Sequence, residues 1–283
     1  MKLTYQIRED ILLRDFLKQQ DISDKLLSAI KNQGDILVNH CHQTVRYKLT
    51  VGDQVEVIFP QEKRGMQLEP YCYDLKIIYE DDYLLVIDKP AGMPCIPDHR
   101  YHDKTLANAL IYYYDQIHLE STIHFVNRLD KETSGLLIVA KYRYIHYLLS
   151  KKHICRKYLA YIQGEIEKQT ICLPIFRSGK SVVRCIDQRG KPSITHCIPY
   201  KMVESNQLIE CQLETGRTHQ IRVHLSAIGH PLIGDHLYGG KKNEAGTYYL
   251  HSYFVEFEHP ITHQTIKFNS MRDLRKKITS CLD

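Results

Sequence analysis

The chain of 283 residues is 43% hydrophobic and 25% charged, which excludes a wholly disordered chain, a collagen and a small disulfide scaffold. Its length suits one large domain or two unequal ones. Thirty-eight Lys and Arg against 33 Asp and Glu leave +5, with 16 His besides: compatible with a nucleic-acid partner, too mild to identify one.

Residues 1–60 read as a small α/β module. Ile11, Leu12, Leu13, Phe16 and Leu17 form one helical stripe, and Leu26, Leu27 and Ile30 a second, with Ser23 as N-cap and Gly34 as a left-handed stop. Ile36 to Asn39 predicts a short strand; Val51-Gly52-Asp53 predicts a turn. Val55, Val57 and Phe59 then alternate as a half-buried strand. Residues 61–74 lose periodicity and are expected to be a linker, leaving 75–283 as the main domain.

Tyr83 to Ile87 is an apolar run stopped by Lys89-Pro90-Ala91-Gly92. Gly135 to Ala140 is another, followed by a helix bearing Ile145, Leu148 and Leu149. Lys157 to Ile162 predicts a strand ending at Gly164, Leu208 to Leu213 a further strand, and Thr218 to Ala227 a helix. Strands outnumber helices without strict alternation. The expectation is an α+β fold, a mixed, mostly antiparallel sheet flanked by helices.

Standard motif searches exclude several chemistries. Gly234 to Gly239 opens with P-loop spacing, but Gly240 stands where Lys is needed; G-x-S-x-G, H-E-x-x-H and G-x-G-x-x-G are absent. Cys41, Cys72, Cys95, Cys155, Cys172, Cys185, Cys197, Cys211 and Cys281 include no C-x-x-C pair, and scattered thiols fit a reducing compartment. His219 and His224 lie about 140° apart round a helix and cannot converge on one ion, so no metal site is expected. The N-terminus has no apolar leader pattern and no run approaches ~18 apolar residues. A cytoplasmic protein without a membrane segment is expected.

Three segments carry chemistry. Val126-Asn127-Arg128-Leu129-Asp130-Lys131-Glu132-Thr133-Ser134-Gly135 sets a carboxylate in a turn before a buried strand, where a nucleophile or base would be held rigidly; an Asp-capped turn is the plain alternative. Leu213 to Leu225 runs strand, Gly turn, helix start, with Arg217, His219, Gln220 and Arg222: an anion site, or simply a solvated polar face. Lys151 to Tyr158 is a basic run ending in an aromatic, suited to phosphate contact and base stacking, or to a solvated turn.

Together these segments resemble the RluA-type pseudouridine synthases. That family's H-R-L-D-x-x-T-S-G stretch is matched by Arg128-Leu129-Asp130 and Thr133-Ser134-Gly135, its basic-Tyr strand by Lys157-Tyr158, and its G-R-T-H-Q-I-R-V-H-L stretch by Gly216 to Leu225, continuing to Gly234-Asp235. Lys89-Pro90-Ala91-Gly92 looks like the end of its first catalytic-domain strand. The resemblance covers roughly residues 75–260, with one departure: Asn127 stands where the family pattern has His, and Asn cannot titrate. Residues 1–60 look more weakly like an S4-type RNA-binding module. Their charge is zero (Lys 5 and Arg 3 against Asp 6 and Glu 2), so RNA contact there would need a patch.

The resemblance implies isomerisation of uridine to pseudouridine in a structured RNA, by a monomer without metal or cofactor. Asp130 maps to the nucleophile, attacking C1′ of the ribose or C6 of the base. Arg222 maps to the basic partner that keeps it ionised and aimed. Tyr158 maps to the active-site Tyr that stacks on the base and can help remove the C5 proton. Arg128 would fill the vacated stack or hold flanking phosphates of a flipped nucleotide; Arg217, His219 and Gln220 would be scaffold or backbone-contact residues. Large-subunit ribosomal RNA is the expected target, with transfer RNA the alternative. The rival readings are a non-catalytic RNA-binding protein of the same fold and a glycosidase-like hydrolase using Asp130 with Glu132.

Overall fold

A computed structural model describes residues 1–64, 68–179, 181–243 and 246–270. The chain folds as two compact units, Met1–Gln67 with Ile117–Thr122, and Leu68–Gln116 with Ile123–Asp283.

The first unit comprises β1 (Lys2–Gln6), β2 (Ile11–Leu12), α1 (Leu13–Gln19), α2 (Asp24–Gln33), β3 (Asp35–Val38), β4 (Cys41–His42), β5 (Lys48–Leu49) and β6 (Gln54–Ile58). Strands β1-β6-β3-β4 form an antiparallel sheet and β2 pairs with β5. Leu13, Leu17, Leu27 and Ile30 bury with Val55 and Val57 in its core. Ser23 caps α2 as its side chain type allows, accepting from Leu26 N at 3.3 Å. Two expectations change. Ile11 and Leu12 form a strand before the helix, and Gly34 is extended (φ −128) rather than left-handed. Glycine is needed there for a different reason: a Cβ would lie 2.0 Å from the Ile58 carbonyl. Residues 61–64 and 68–74 carry no regular element, though Arg64 donates to the carbonyls of Ser121 and Leu119 (both 3.3 Å).

The second unit adds β7 (Ile77–Glu80), β8 (Leu84–Lys89), α3 (Leu106–Gln116), β9 (His124–Phe125), β10 (Ser134–Ala140), α4 (Arg143–Ser150), β11 (Ile154–Gln163) and β12 (Gln169–Cys172). After these come β13 (Ile175–Phe176), β14 (Cys185–Ile186), β15 (Ile194–Val203), β16 (Asn206–Leu213), α5 (Gln220–Ala227), a 3₁₀ turn (His236–Tyr238), β17 (Leu250–Glu258) and β18 (Thr265–Asn269). One large sheet runs β12-β15-β16-β11-β17-β10-β8-β7, with β18 on β17 and β9 on β10. Its pairings are antiparallel except β10 with β17, so the fold is the mixed, mostly antiparallel α+β arrangement expected.

Every residue of β8 and β10 is buried, which is why both read as continuous apolar runs rather than alternating ones. The parallel contact between β10 and β17 is close. Gly135 has φ +107, and a Cβ there would lie 2.2 Å from Ser252 O, so both backbone and packing demand glycine. Ser134 is buried beside it, 2.9 Å from His251 Nδ1. The Thr-Ser-Gly step is thus a strand entry shaped by its neighbour, not ordinary loop chemistry.

Candidate active site

The turn carrying Asp130 is fastened from several sides. Lys89 is buried, and its ammonium donates to Pro90 O (2.8 Å), Met93 O (2.9 Å) and Lys131 O (3.1 Å), while Gly92 N also donates to Lys131 O (2.9 Å). Cys95 Sγ donates to Leu129 O at 3.1 Å. The Lys-Pro-Ala-Gly stretch therefore serves as a clamp on the neighbouring Asp130 turn. Asn127 is buried and its Oδ1 accepts from Ile138 N at 2.8 Å, extending the ladder that Val126 N makes to Ile138 O. An amide suffices for that bond, which explains how the position holds without His.

Asp130 opens into a pocket whose apolar side is supplied by Leu213, Ile221 and Leu250. Arg222 Nη1 donates to Asp130 Oδ2 at 3.1 Å. The other edge of the same guanidinium is bidentate on buried Asp235: Nε to Oδ2 at 2.7 Å and Nη2 to Oδ1 at 2.9 Å. Its Cζ lies 4.4 Å from the ring centroid of Tyr248 and 4.9 Å from that of Tyr238, within cation–π range of both. Burial works against its charge, but the Asp235 bonds and the nearby acidic groups outweigh it and raise the Arg222 pKa. A permanent, rigidly oriented cation results. Among the described residues Asp130 Oδ1 accepts no hydrogen bond, so one oxygen is held and the other is open.

Tyr158 lines the same pocket, buried on β11. Burial pushes its phenol above the ordinary range. Tyr248 is buried too, its hydroxyl 3.3 Å from Thr133 Oγ1, and burial followed by the Asp130 charge pushes its pKa up. His219 and Arg222 do not form the solvated face that helical spacing allowed. His219 is the left-handed N-cap of α5 (φ 59), so the helix starts at Gln220 rather than Thr218, and its Nε2 lies 3.8 Å from Asp130 Oδ2.

The remaining expected residues separate. Arg128 and Arg217 are exposed at the pocket rim. Gln220 is buried and its amide is saturated: Oε1 accepts from Arg217 N and Thr215 Oγ1 (both 2.9 Å), and Nε2 donates to Ile194 O (2.9 Å) and Thr195 Oγ1 (3.0 Å). That leaves it nothing to offer RNA and makes it a scaffold residue. His224 is bonded by Thr195 Oγ1 and Leu173 O, both at 2.9 Å. No group of three or more metal-type ligands occurs among the described residues, and none of their helices is long and apolar enough to cross a membrane. Cys281 lies outside the described residues; the other eight Cys are unpaired thiols.

Asp235, Tyr238 and Tyr248 were not among the expected site residues. Gly234-Asp235 stood in the motif continuation, while 20 Tyr and no Trp give no role by composition alone.

Residues 83–227 match the RNA pseudouridylate synthase family. A Bacillus subtilis (strain 168) protein named as the uncharacterized RNA pseudouridine synthase YjbO is 37% identical over 266 residues, covering 91% of this chain and 94% of its own. The ribosomal large subunit pseudouridine synthase D of Nitrosomonas europaea is 35% identical over 93% of this chain and 80% of its own. In structure, the chain is similar to human RNA pseudouridylate synthase domain containing 1, at TM-score 0.59 and 25% identity over 76% of this chain and 90% of that one. The chain belongs to the RNA pseudouridylate synthase family, the enzyme class its motifs imply.

Proposed function

We propose that this protein isomerises uridine to pseudouridine at defined sites of structured RNA, large-subunit ribosomal RNA in particular, with Asp130 as the nucleophile. The observation that carries this reading is the divided carboxylate: Oδ2 of Asp130, a residue lining the pocket, is held by Arg222, itself anchored on Asp235, while Oδ1 accepts no hydrogen bond among the described residues. Oδ1 adds to C1′ or C6, the N1–C1′ bond breaks, the base turns, a C5–C1′ bond forms, and the bond to Oδ1 breaks to return the free carboxylate. The proton lost from C5 is balanced by one gained at N1. Nothing is oxidised or hydrolysed.

Tyr158 is the surface on which the flipped base rests, and Arg128 and Arg217 at the rim meet the RNA backbone. The hydrolase alternative loses its second carboxylate, because Glu132 is engaged by Lys131 (3.3 Å) and Thr247 Oγ1 (3.1 Å). A binding-only protein has no use for an open carboxylate oxygen among cations. The first unit acts as an RNA anchor of S4 type, through a groove lined by Arg14, Lys31 and Arg46, with its boundary in residues 61–74. The free thiols suit a reducing, cytoplasmic setting. Ribosomal RNA is favoured by relatives named as ribosomal large subunit pseudouridine synthases.

The test is direct. Purified protein is incubated with unmodified large-subunit ribosomal RNA and, separately, with unmodified transfer RNA, and pseudouridines are mapped in both. Modification at discrete positions of the ribosomal RNA is expected. Modification of transfer RNA alone would overturn the target, and modification of neither would overturn the activity.

A further inference from the structure

His219 is held in a conformation that costs energy. Its φ of 59 and ψ of 18 place a non-glycine residue in the left-handed region, which persists only where the surroundings fix it. Its side chain is one-tenth exposed, with Nδ1 2.7 Å from Tyr238 Oη and Nε2 3.8 Å from Asp130 Oδ2. Tyr238 Oη has a second partner, the main-chain N of Arg184 at 2.9 Å. A backbone N–H can only donate, so the phenol oxygen accepts there and its own proton goes to His219 Nδ1. Nδ1 is then an acceptor, and the proton of the neutral ring sits on Nε2, facing Asp130.

The opposite tautomer is worse on two counts. It would give the phenol oxygen two donors and leave its own proton unplaced, and it would set the Nε2 lone pair against a carboxylate. The molecule uses the same device elsewhere. His259 Nδ1 accepts from Thr262 N (3.0 Å) and Ile261 N (3.3 Å), so its Nε2–H faces Asp81 Oδ2 at 2.9 Å.

We infer that His219 is a positioning residue for the reaction: Tyr238 locks it as the Nε2–H tautomer, which joins Arg222 in holding Oδ2 of Asp130 and leaves Oδ1 to attack. This rests on Asp130 being the nucleophile. At 3.8 Å the Nε2–H attracts the carboxylate without a full hydrogen bond, and a closure of about 1 Å on substrate binding completes it, as catalytic contacts in free enzymes commonly tighten. Burial above all, with Arg222 and Arg184, lowers the His219 pKa against the opposing pull of Asp130 and Asp235, which favours the neutral ring.

Tyr238→Phe is the discriminating variant. It keeps the ring, its contact with Arg222 and its edge packing on His219 at 5.6 Å, and removes only the hydroxyl. In ¹⁵N-histidine spectra of the full chain, wild-type His219 should be protonated at Nε2 alone, and Tyr238→Phe should show both tautomers. Single-turnover pseudouridine formation at saturating RNA should fall about tenfold in Tyr238→Phe, with RNA affinity within about twofold of wild type. His219→Gln, which returns an N–H donor, should exceed His219→Ala in rate. A wild-type ring protonated at Nδ1, an unchanged rate in Tyr238→Phe, or an equal loss of rate and RNA affinity would each overturn the inference. The tautomer is read without catalysis, so a wild-type protein that forms no pseudouridine would sink the functional reading and leave the tautomer assignment standing.

Discussion

Two aspartates stand in turns that lead into neighbouring antiparallel strands, Asp81 before β8 and Asp130 before β10. Their side chains are equally exposed, at 23%. Their partners differ. Asp81 Oδ1 accepts from Tyr83 N (2.7 Å) and Leu84 N (2.9 Å), and Oδ2 from the Tyr79 hydroxyl (2.8 Å) and His259 Nε2 (2.9 Å). Burial pushes its pKa up, but those four donors outweigh burial and bring it down to about 2. Among the described residues the Asp130 carboxylate takes no donor from its own turn: Thr133 N goes to the Asp130 main-chain carbonyl at 3.1 Å, and the polar partners of the side chain are the distant Arg222 and His219. A saturated carboxylate holds a turn together. A half-satisfied one, aimed by a fixed cation, keeps an oxygen for chemistry.

Three experiments sharpen that contrast. Arg222→Ala has the largest expected effect, because it releases Asp130 and strands buried Asp235. Unpairing a buried charge costs about 3–5 kcal/mol, and losing a preorganised cation lowers the single-turnover rate roughly 10²–10³-fold. Arg222→Lys keeps the charge without the fork and should recover part of both, read by urea unfolding and rapid-quench rates. Unchanged stability and rate in Arg222→Ala would remove it from the site.

Gly135→Ala comes next. A Cβ 2.2 Å from Ser252 O at φ +107 should cost about 2–4 kcal/mol, seen as a lower melting temperature. A melting temperature equal to wild type would mean that the strand contact is looser than described.

The smallest effect is a pH dependence. Asp81 has a folded pKa of about 2 against an ordinary 3.8. Its contribution, on the order of 2 kcal/mol, is fully present above the ordinary value and is lost as pH falls through the folded one. Urea unfolding between pH 5 and pH 2 should show that component in wild type. Asp81→Asn should lack it; an identical slope in the two proteins would remove Asp81 as its source.

Much of this was legible in the sequence, for local reasons. The β8 and β10 runs announce buried strands because no polar face interrupts them, and Asp130, Tyr158 and Arg222 sit within contiguous motifs. Asp130 and Asp81 cannot be told apart in that way, since each is an Asp in a polar turn ahead of an apolar run. What separates them lies 92 residues away in one case and 178 in the other, in Arg222 and His259. Asp235, Tyr238 and Tyr248 were hidden for the same reason: they reach the site through turns after α5, with no periodicity of their own. The helix start at Gln220 was misplaced because a left-handed His leaves no local mark in the sequence.

Asp81→Asn and Asp130→Asn should therefore be taken through the same two assays, urea unfolding at pH 7 and single-turnover pseudouridine formation. Asp81→Asn should lose about 2 kcal/mol of stability and turn over normally per folded molecule. Asp130→Asn should keep wild-type stability within about 0.5 kcal/mol and lose at least about 10³-fold in rate. A measurable wild-type-like rate from Asp130→Asn, or a comparable rate loss from Asp81→Asn, would contradict the division of roles between these two carboxylates.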